Sequence, residues 1–128
     1  MMDKDVKMLK EEEYSGKWKA CFVFYEEDGA GGKEEYRDYM SADIESDKKG
    51  IKVTLHPLYR YDSKTKEGKD ISGEADMKFS GKWNDQGDYT ATGDGTIDMV
   101  IFEADGEQYS VGGFTAPSGE KAAVAINR

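Results

Sequence analysis

From Ile71 to Trp83 the chain alternates without a break: Ile71, Gly73, Ala75, Met77, Phe79, Gly81 and Trp83 share one parity, and Ser72, Glu74, Asp76, Lys78, Ser80 and Lys82 the other. Alternation of period two over that length predicts a strand with one buried face. The stretch from Ile51 to Tyr61 alternates in the same way, which sends Ile51, Val53, Leu55, Tyr59 and Tyr61 inward and Lys52, Thr54, His56 and Arg60 outward. Pro57 interrupts it and predicts a bulge, a bend or an edge position, since proline offers no N–H to a ladder. Further strands are expected from Lys17 to Glu26, Thr96 to Glu103, Glu107 to Thr115 and Lys121 to Asn127, with Phe22 and Phe24 inward on the first. Glycine-bearing turns at 28–32, 104–106 and 117–119 join these runs, and short connections between neighbours make an antiparallel meander. Between Lys33 and Asp47 two periods compete. Tyr36, Tyr39, Met40 and Ile44 have helical spacing while Met40, Ala42 and Ile44 alternate, so one short helix is allowed there.

Strands with one apolar face each have two solutions, a closed barrel or a two-layer sandwich. The inward parity of the Ile71 run mixes Gly73, Ala75 and Gly81 with Met77, Phe79 and Trp83; glycines let strands bend sharply, which favours the barrel. The expected fold is therefore all-β: a single antiparallel meander barrel of about eight strands spanning residues 14–128, with at most one short helix, preceded by a charged segment, 1–13. An internal echo runs through the chain, YSGKW at 14–18 against FSGKW at 79–83 and FVFYEEDG at 22–29 against MVIFEADG at 99–106. It suggests two related halves of one sheet.

Charge narrows the partners. Eighteen Lys and Arg against 27 Asp and Glu leave a net charge of −9, so nucleic acid would meet repulsion rather than counterion release. No run of about 18 apolar residues is present to span a membrane. The N-terminal MMDKDVKMLKEEEY lacks the apolar core of a signal peptide. The chain is expected to be soluble as written, and extracytoplasmic if a signal has been removed ahead of it; localisation stays open.

Chemistry is sparse. Cys21, the one cysteine, excludes an internal disulfide and reads as a small buried hydrophobe. His56, the one histidine, sits on the polar parity of its strand and cannot assemble a three-histidine zinc site. The stretch TATGDGTIDMVI, 90–101, has the look of a calcium loop, with Asp94, Gly95 and Asp98 at the fifth, sixth and ninth positions. Thr90, Thr92 and Ile101 occupy places that need carboxylates or amides, so Asp94-Gly95 reads as a hairpin turn. A looser surface site of Asp85, Asp88, Asp94 and Asp98 is the alternative. No carboxylate stands out as a general acid or base; no enzyme, catalytic residue, cofactor or metal is expected.

Aromatic residues are the remaining informative class. Tyrosine combines an apolar body with one hydrogen-bonding tip, as a cavity uses to hold a partly polar small molecule. Phe24, Tyr59, Tyr61, Met77 and Met99 are the candidate ligand-lining residues. Near the N-terminus, Gly16-Lys17-Trp18 resembles the Gly-x-Trp signature of the calycin superfamily, the lipocalins, fatty-acid-binding proteins and avidins. That resemblance implies a barrel closed at its base by Gly16, Trp18 and an arginine packed on the tryptophan, a part that Arg128 has the parity to play. The chain departs from the family's pattern in having no Thr-Asp-Tyr type turn, no helix pair as a lid and no long C-terminal helix; small bacterial lipocalin-like domains are similar in these respects. The function so implied is non-catalytic binding of a small hydrophobic or amphipathic molecule inside the barrel. The alternative is a secreted or cell-surface interaction module whose barrel is filled by its own side chains.

Overall fold

The computed structural model describes residues 14–26 and 33–128. Nine strands follow in chain order: β1 (Gly16–Glu26), β2 (Lys33–Asp47), β3 (Gly50–Asp62), β4 (Gly68–Asp70), β5 (Met77–Trp83), β6 (Tyr89–Gly93), β7 (Gly95–Ala104), β8 (Glu107–Thr115) and β9 (Lys121–Asn127). All neighbouring pairs are antiparallel. Eight of the strands run as a meander, β1-β2-β3-β5-β6-β7-β8-β9, and β9 returns to pair with β1, so the sheet closes on itself; β4 is an extra short strand on β3. Closure removes the unpaired edges that an open sheet would expose.

The alternation read from the sequence becomes the inside and outside of this barrel. Phe22 and Phe24 on β1, Ala42 and Ile44 on β2, Ile51, Val53 and Leu55 on β3, Ile97, Met99 and Ile101 on β7, and Ala122, Val124 and Ile126 on β9 are all buried. Each large apolar side chain taken from water in this way contributes about 1.5–3 kcal/mol before entropy is counted. The rings of Phe22, Phe24 and Phe79 each meet Phe114 at centroid distances of 5.4–6.0 Å, edge to face.

Three expectations are corrected. Lys33–Asp47 is one continuous strand, and no α-helix occurs among the described residues. The alternating period wins there because Met40, Ala42 and Ile44 need a common face against β1 and β3, which a helix would scatter. The run from Ile71 is a strand only from Met77 on. Residues 71–76 form a loop, with Ile71 buried as its anchor and its N–H bonded to Leu58 O at 3.1 Å. The internal echo is no structural repeat: the described part of the first copy falls on β1 and the two residues before it, whereas the second copy falls on β5 and on β7 with its following turn, with β6 between them.

Pro57 does make a bulge. Tyr39 faces Tyr59 and Met40 faces Pro57, which leaves Leu58 as the extra residue on β3. A bulge of one residue exchanges the two faces of everything beyond it. Pro57 stays inward, and Arg60 is turned inward with it, while Tyr59 and Tyr61 are turned out.

Candidate functional site

The two ends of the barrel are built differently. At the end where β1 starts, a polar-tipped aromatic cluster fills the interior. Tyr14 packs on Trp18 (4.5 Å), Trp83 (5.7 Å) and Tyr89 (5.7 Å). Each polar tip finds a partner: Trp18 Nε1 donates to Tyr14 O at 2.9 Å, Trp83 Nε1 to Ser46 Oγ at 2.9 Å, and the Tyr14 and Tyr89 hydroxyls lie 3.3 Å apart. Burial pushes both tyrosine pKa values up, so both stay neutral donors. Arg128, following β9, places its guanidinium 4.2 Å over the Trp18 ring and donates from Nη2 to Ser15 O at 3.1 Å. Gly16 is where this approach demands glycine: its φ is +126°, and a Cβ would come within 2.9 Å of Arg128 Nη1. This end is shut.

The opposite end is a mouth. A pocket of about 440 Å³ opens there, with Phe24, Met40, Met77 and Phe114 among its walls and Glu74, Ala75, Pro117 and Glu120 on the loops around it. Asp38 and Arg60 face each other inside it. Arg60 donates from Nε and Nη2 to the two Asp38 oxygens at 2.7 and 2.8 Å, and Asp38 is buried while Arg60 keeps about a third of its side chain exposed. Such a two-point contact both orients and neutralises. The Asp38 hydrogen bonds hold the Arg60 pKa above its ordinary value despite the burial. Tyr36 carries Phe24 stacked at 4.6 Å and the Arg60 guanidinium at 4.7 Å, and its hydroxyl donates to Glu120 Oε1 at 3.2 Å. Burial, and then the Glu120 carboxylate, push the Tyr36 pKa up. A larger hollow, about 560 Å³, lies at the shut end beside Ser15, Asp47, Lys49 and Gly81. Its lining is charged and hydroxylic with Ile51 as its one large apolar side chain, which suits solvent better than a partly apolar molecule.

The expected lining residues separate accordingly. Phe24 and Met77 are brought together in the mouth. Met99 is buried in the core beside Gly112, on the strand row that pairs with Tyr89 near the shut end. Tyr59 and Tyr61, expected inward, are on the outer face because of the Leu58 bulge; Tyr59 is 45% exposed and covers Gly68. Sequence reasoning missed Tyr36, Asp38 and Arg60. The signal was available in Pro57: carrying a one-residue bulge through β3 turns Arg60 to the side of Asp38.

Other sequence candidates take modest places. Asp94 sits in the β6–β7 turn, its carboxylate accepting from Lys78 N at 2.9 Å, and Gly95 has φ +123° as a tight hairpin requires. Asp85 and Asp88 lie in the β5–β6 turn at the other end of the barrel, and Asp98 accepts from Thr90 Oγ1 at 2.5 Å. Among the described residues no three His, Cys, Asp or Glu side chains gather as a metal site. Cys21 is half-buried on the outer face rather than in the core, and burial pushes its thiol pKa up, away from a reactive thiolate. No helix among the described residues is long and apolar enough to cross a membrane.

His56 is tied on both sides, Nε2 to Asp43 Oδ2 at 2.7 Å and Nδ1 to Asp76 Oδ1 at 3.0 Å. Lys17 Nζ joins the same Asp43 at 3.3 Å. Hydrogen bonds to Asp43 and then Asp76 raise the His56 pKa, and the bond to His56 lowers that of Asp43. A raised histidine pKa contributes stability that is fully present below the unfolded-state value of about 6.5 and is lost as pH rises through the folded-state value. The Asp43 contribution has the opposite sign and is lost only as pH falls through its depressed value. Wild type is therefore expected to melt above His56→Gln on the acid side of about pH 6.5, and the gap should shrink as pH rises. Thermal melts of both proteins across that range check it; a gap that widens with pH contradicts the charged-histidine bridge.

Comparison with protein-family models, with curated proteins and with solved structures finds no match. The fold and site define the molecule as a closed, eight-stranded antiparallel barrel, shut at one end and open at the other, with an extra strand beside it.

Proposed function

We propose that the protein is a non-catalytic binding barrel of the lipocalin-like kind, which holds a small, partly apolar molecule in its open mouth. The observation that carries the reading is the pocket itself, about 440 Å³ with aromatic and thioether walls around one part-buried, oriented ion pair. That volume lies within the roughly 300–1,000 Å³ of ordinary ligand sites, and the mixture of apolar wall and few polar groups is what such sites use. Affinity comes from burying ligand surface against Phe24, Met77 and Phe114 at ~25 cal/mol per Å². The shut end, with Arg128 on Trp18, supports the calycin-like reading as a structural base.

Ala75 is exposed and lies on the rim of the pocket. Ala75→Trp is expected to leave the melting temperature within a few degrees and to abolish retention of any small molecule seen by native mass spectrometry of the purified wild type. Unchanged retention in the variant would place the ligand elsewhere.

One observation favours a second reading, an interaction module. Outside the barrel, Tyr59, Tyr39, Cys21, Ala125, Val111 and Val100 are successive cross-strand partners, an apolar row over six strands. Val100 and Val111 are each 46% exposed, which is unusual in so polar a chain. The same Ala75→Trp protein separates the readings, because partner binding on the outer face would survive a plugged mouth.

A further inference from the structure

We infer that the mouth selects small organic cations, an amine on an apolar body, over carboxylates and neutral molecules; the inference rests on the mouth being the ligand site. Four carboxylates line it, Asp38, Glu74, Asp94 and Glu120, against the single guanidinium of Arg60, a formal surplus of three negative charges. Arg60 is already committed. Its Nε and Nη2 reach Asp38 at 2.7 and 2.8 Å, and Nη2 lies 3.8 Å from Glu74. An incoming carboxylate would find only the remaining N–H donors of a guanidinium whose charge Asp38 already balances. It would also enter the field of the three remaining acids, in a site where partial exclusion of water strengthens every charge interaction.

An ammonium meets the reverse. Glu74 and Glu120 stand on the loops around the opening, while Phe24 and Phe114 line the walls beneath. The pocket already displays this chemistry, because it seats one cation, the Arg60 guanidinium, 4.7 Å from the Tyr36 ring and on a carboxylate. A cation over an aromatic face and beside a carboxylate gains both attractions without a new desolvated acid. The apolar body then fills the space lined by Met77 and Phe114, and about 440 Å³ restricts it to a small molecule.

Titration calorimetry of the full chain with octylammonium, octanol and octanoate, each below its aggregation limit, tests the inference, because the three share a tail and differ only in the head. Octylammonium is expected to bind one per protein, about tenfold tighter than octanol, with octanoate weaker than either. In the Glu74→Gln/Glu120→Gln double variant the preference should fall to near unity with octanol affinity unchanged. Octanol or octanoate binding as tightly as the amine overturns the cation class and leaves the pocket reading standing. An amine preference undiminished in the double variant also overturns it, since the two rim carboxylates would then play no part in the attraction. No binding of any probe, or binding undiminished in Ala75→Trp, overturns both readings together.

Discussion

Replacing Arg60 by methionine is expected to destabilise the protein by about 3 kcal/mol, among the largest effects of any single substitution on the polar residues. The reason is asymmetry within the ion pair. Asp38 is 4% exposed and its two oxygens are both satisfied by Arg60, so removing the guanidinium strands a carboxylate inside the barrel. Breaking a buried pair from one side costs about 3–5 kcal/mol, and the partial exposure of Arg60 sets the expectation at the lower end. Asp38→Asn should cost less, about 1–2 kcal/mol, because the freed guanidinium keeps water and has Glu74 within 3.8 Å. The double variant Asp38→Leu/Arg60→Met should return to within about 1 kcal/mol of wild type, since apolar replacement of both partners removes the desolvation cost with the attraction. Urea denaturation of the four proteins at one pH measures the cycle. A double variant as stable as wild type would mean that the pair is not kept for stability, and leaves its position in the mouth as its reason. A loss below about 1 kcal/mol in Arg60→Met would instead mean that water reaches Asp38 freely.

How much of this was legible beforehand follows from what a single bulge does. The parity of β1, β7 and β9 could be read directly, because along each the large apolar residues alternate and one face is buried; on β8 the buried parity carries Ser110 with Phe114 while Val111 faces out, which the sequence pattern does not announce. β2 was ambiguous in isolation: the spacing of Tyr36, Tyr39, Met40 and Ile44 satisfies a helix, and only pairing with β1 and β3 on both sides selects the strand. The site fared worse than the fold for a related reason. Pro57 announced a bulge, but the alternation continued on paper through Tyr59 and Tyr61, and the inserted Leu58 sends those side chains out. Arg60, a charge assigned to solvent, is turned in by the same insertion, opposite an aspartate whose own strand was in doubt. Two polar residues that meet only after a register shift leave no periodic trace. The loop at 71–76 is the other illegible part: its alternation is real, but Ile71 is held by Leu58 O rather than by a ladder.

Trp18→Ala is expected to cost about 3–5 kcal/mol, the range for deleting a buried tryptophan, and yet to leave binding at the mouth intact. The ring is 2% exposed, packs on Tyr14 at 4.5 Å, donates to Tyr14 O and carries Arg128 at 4.2 Å, so its loss leaves a cavity and an unpaired carbonyl and removes the ring beneath the guanidinium at once. Arg128→Ala, which removes only the outer layer, should cost about 1 kcal/mol. The barrel is long enough to separate these effects from the ligand site. Trp18 faces Ala42 near the start of β1, whereas Phe24 faces Tyr36 beside the mouth, six residues along the same strand and about 20 Å away at ~3.3 Å per residue. Core substitutions at that separation act through stability and not through shared contacts. Octylammonium titration of Trp18→Ala, under conditions where its circular dichroism shows it folded, should therefore return the wild-type affinity. A loss of affinity in the folded variant would mean that the shut end and the mouth are one cooperative unit, with the aromatic base setting the shape of the pocket through the strands between them.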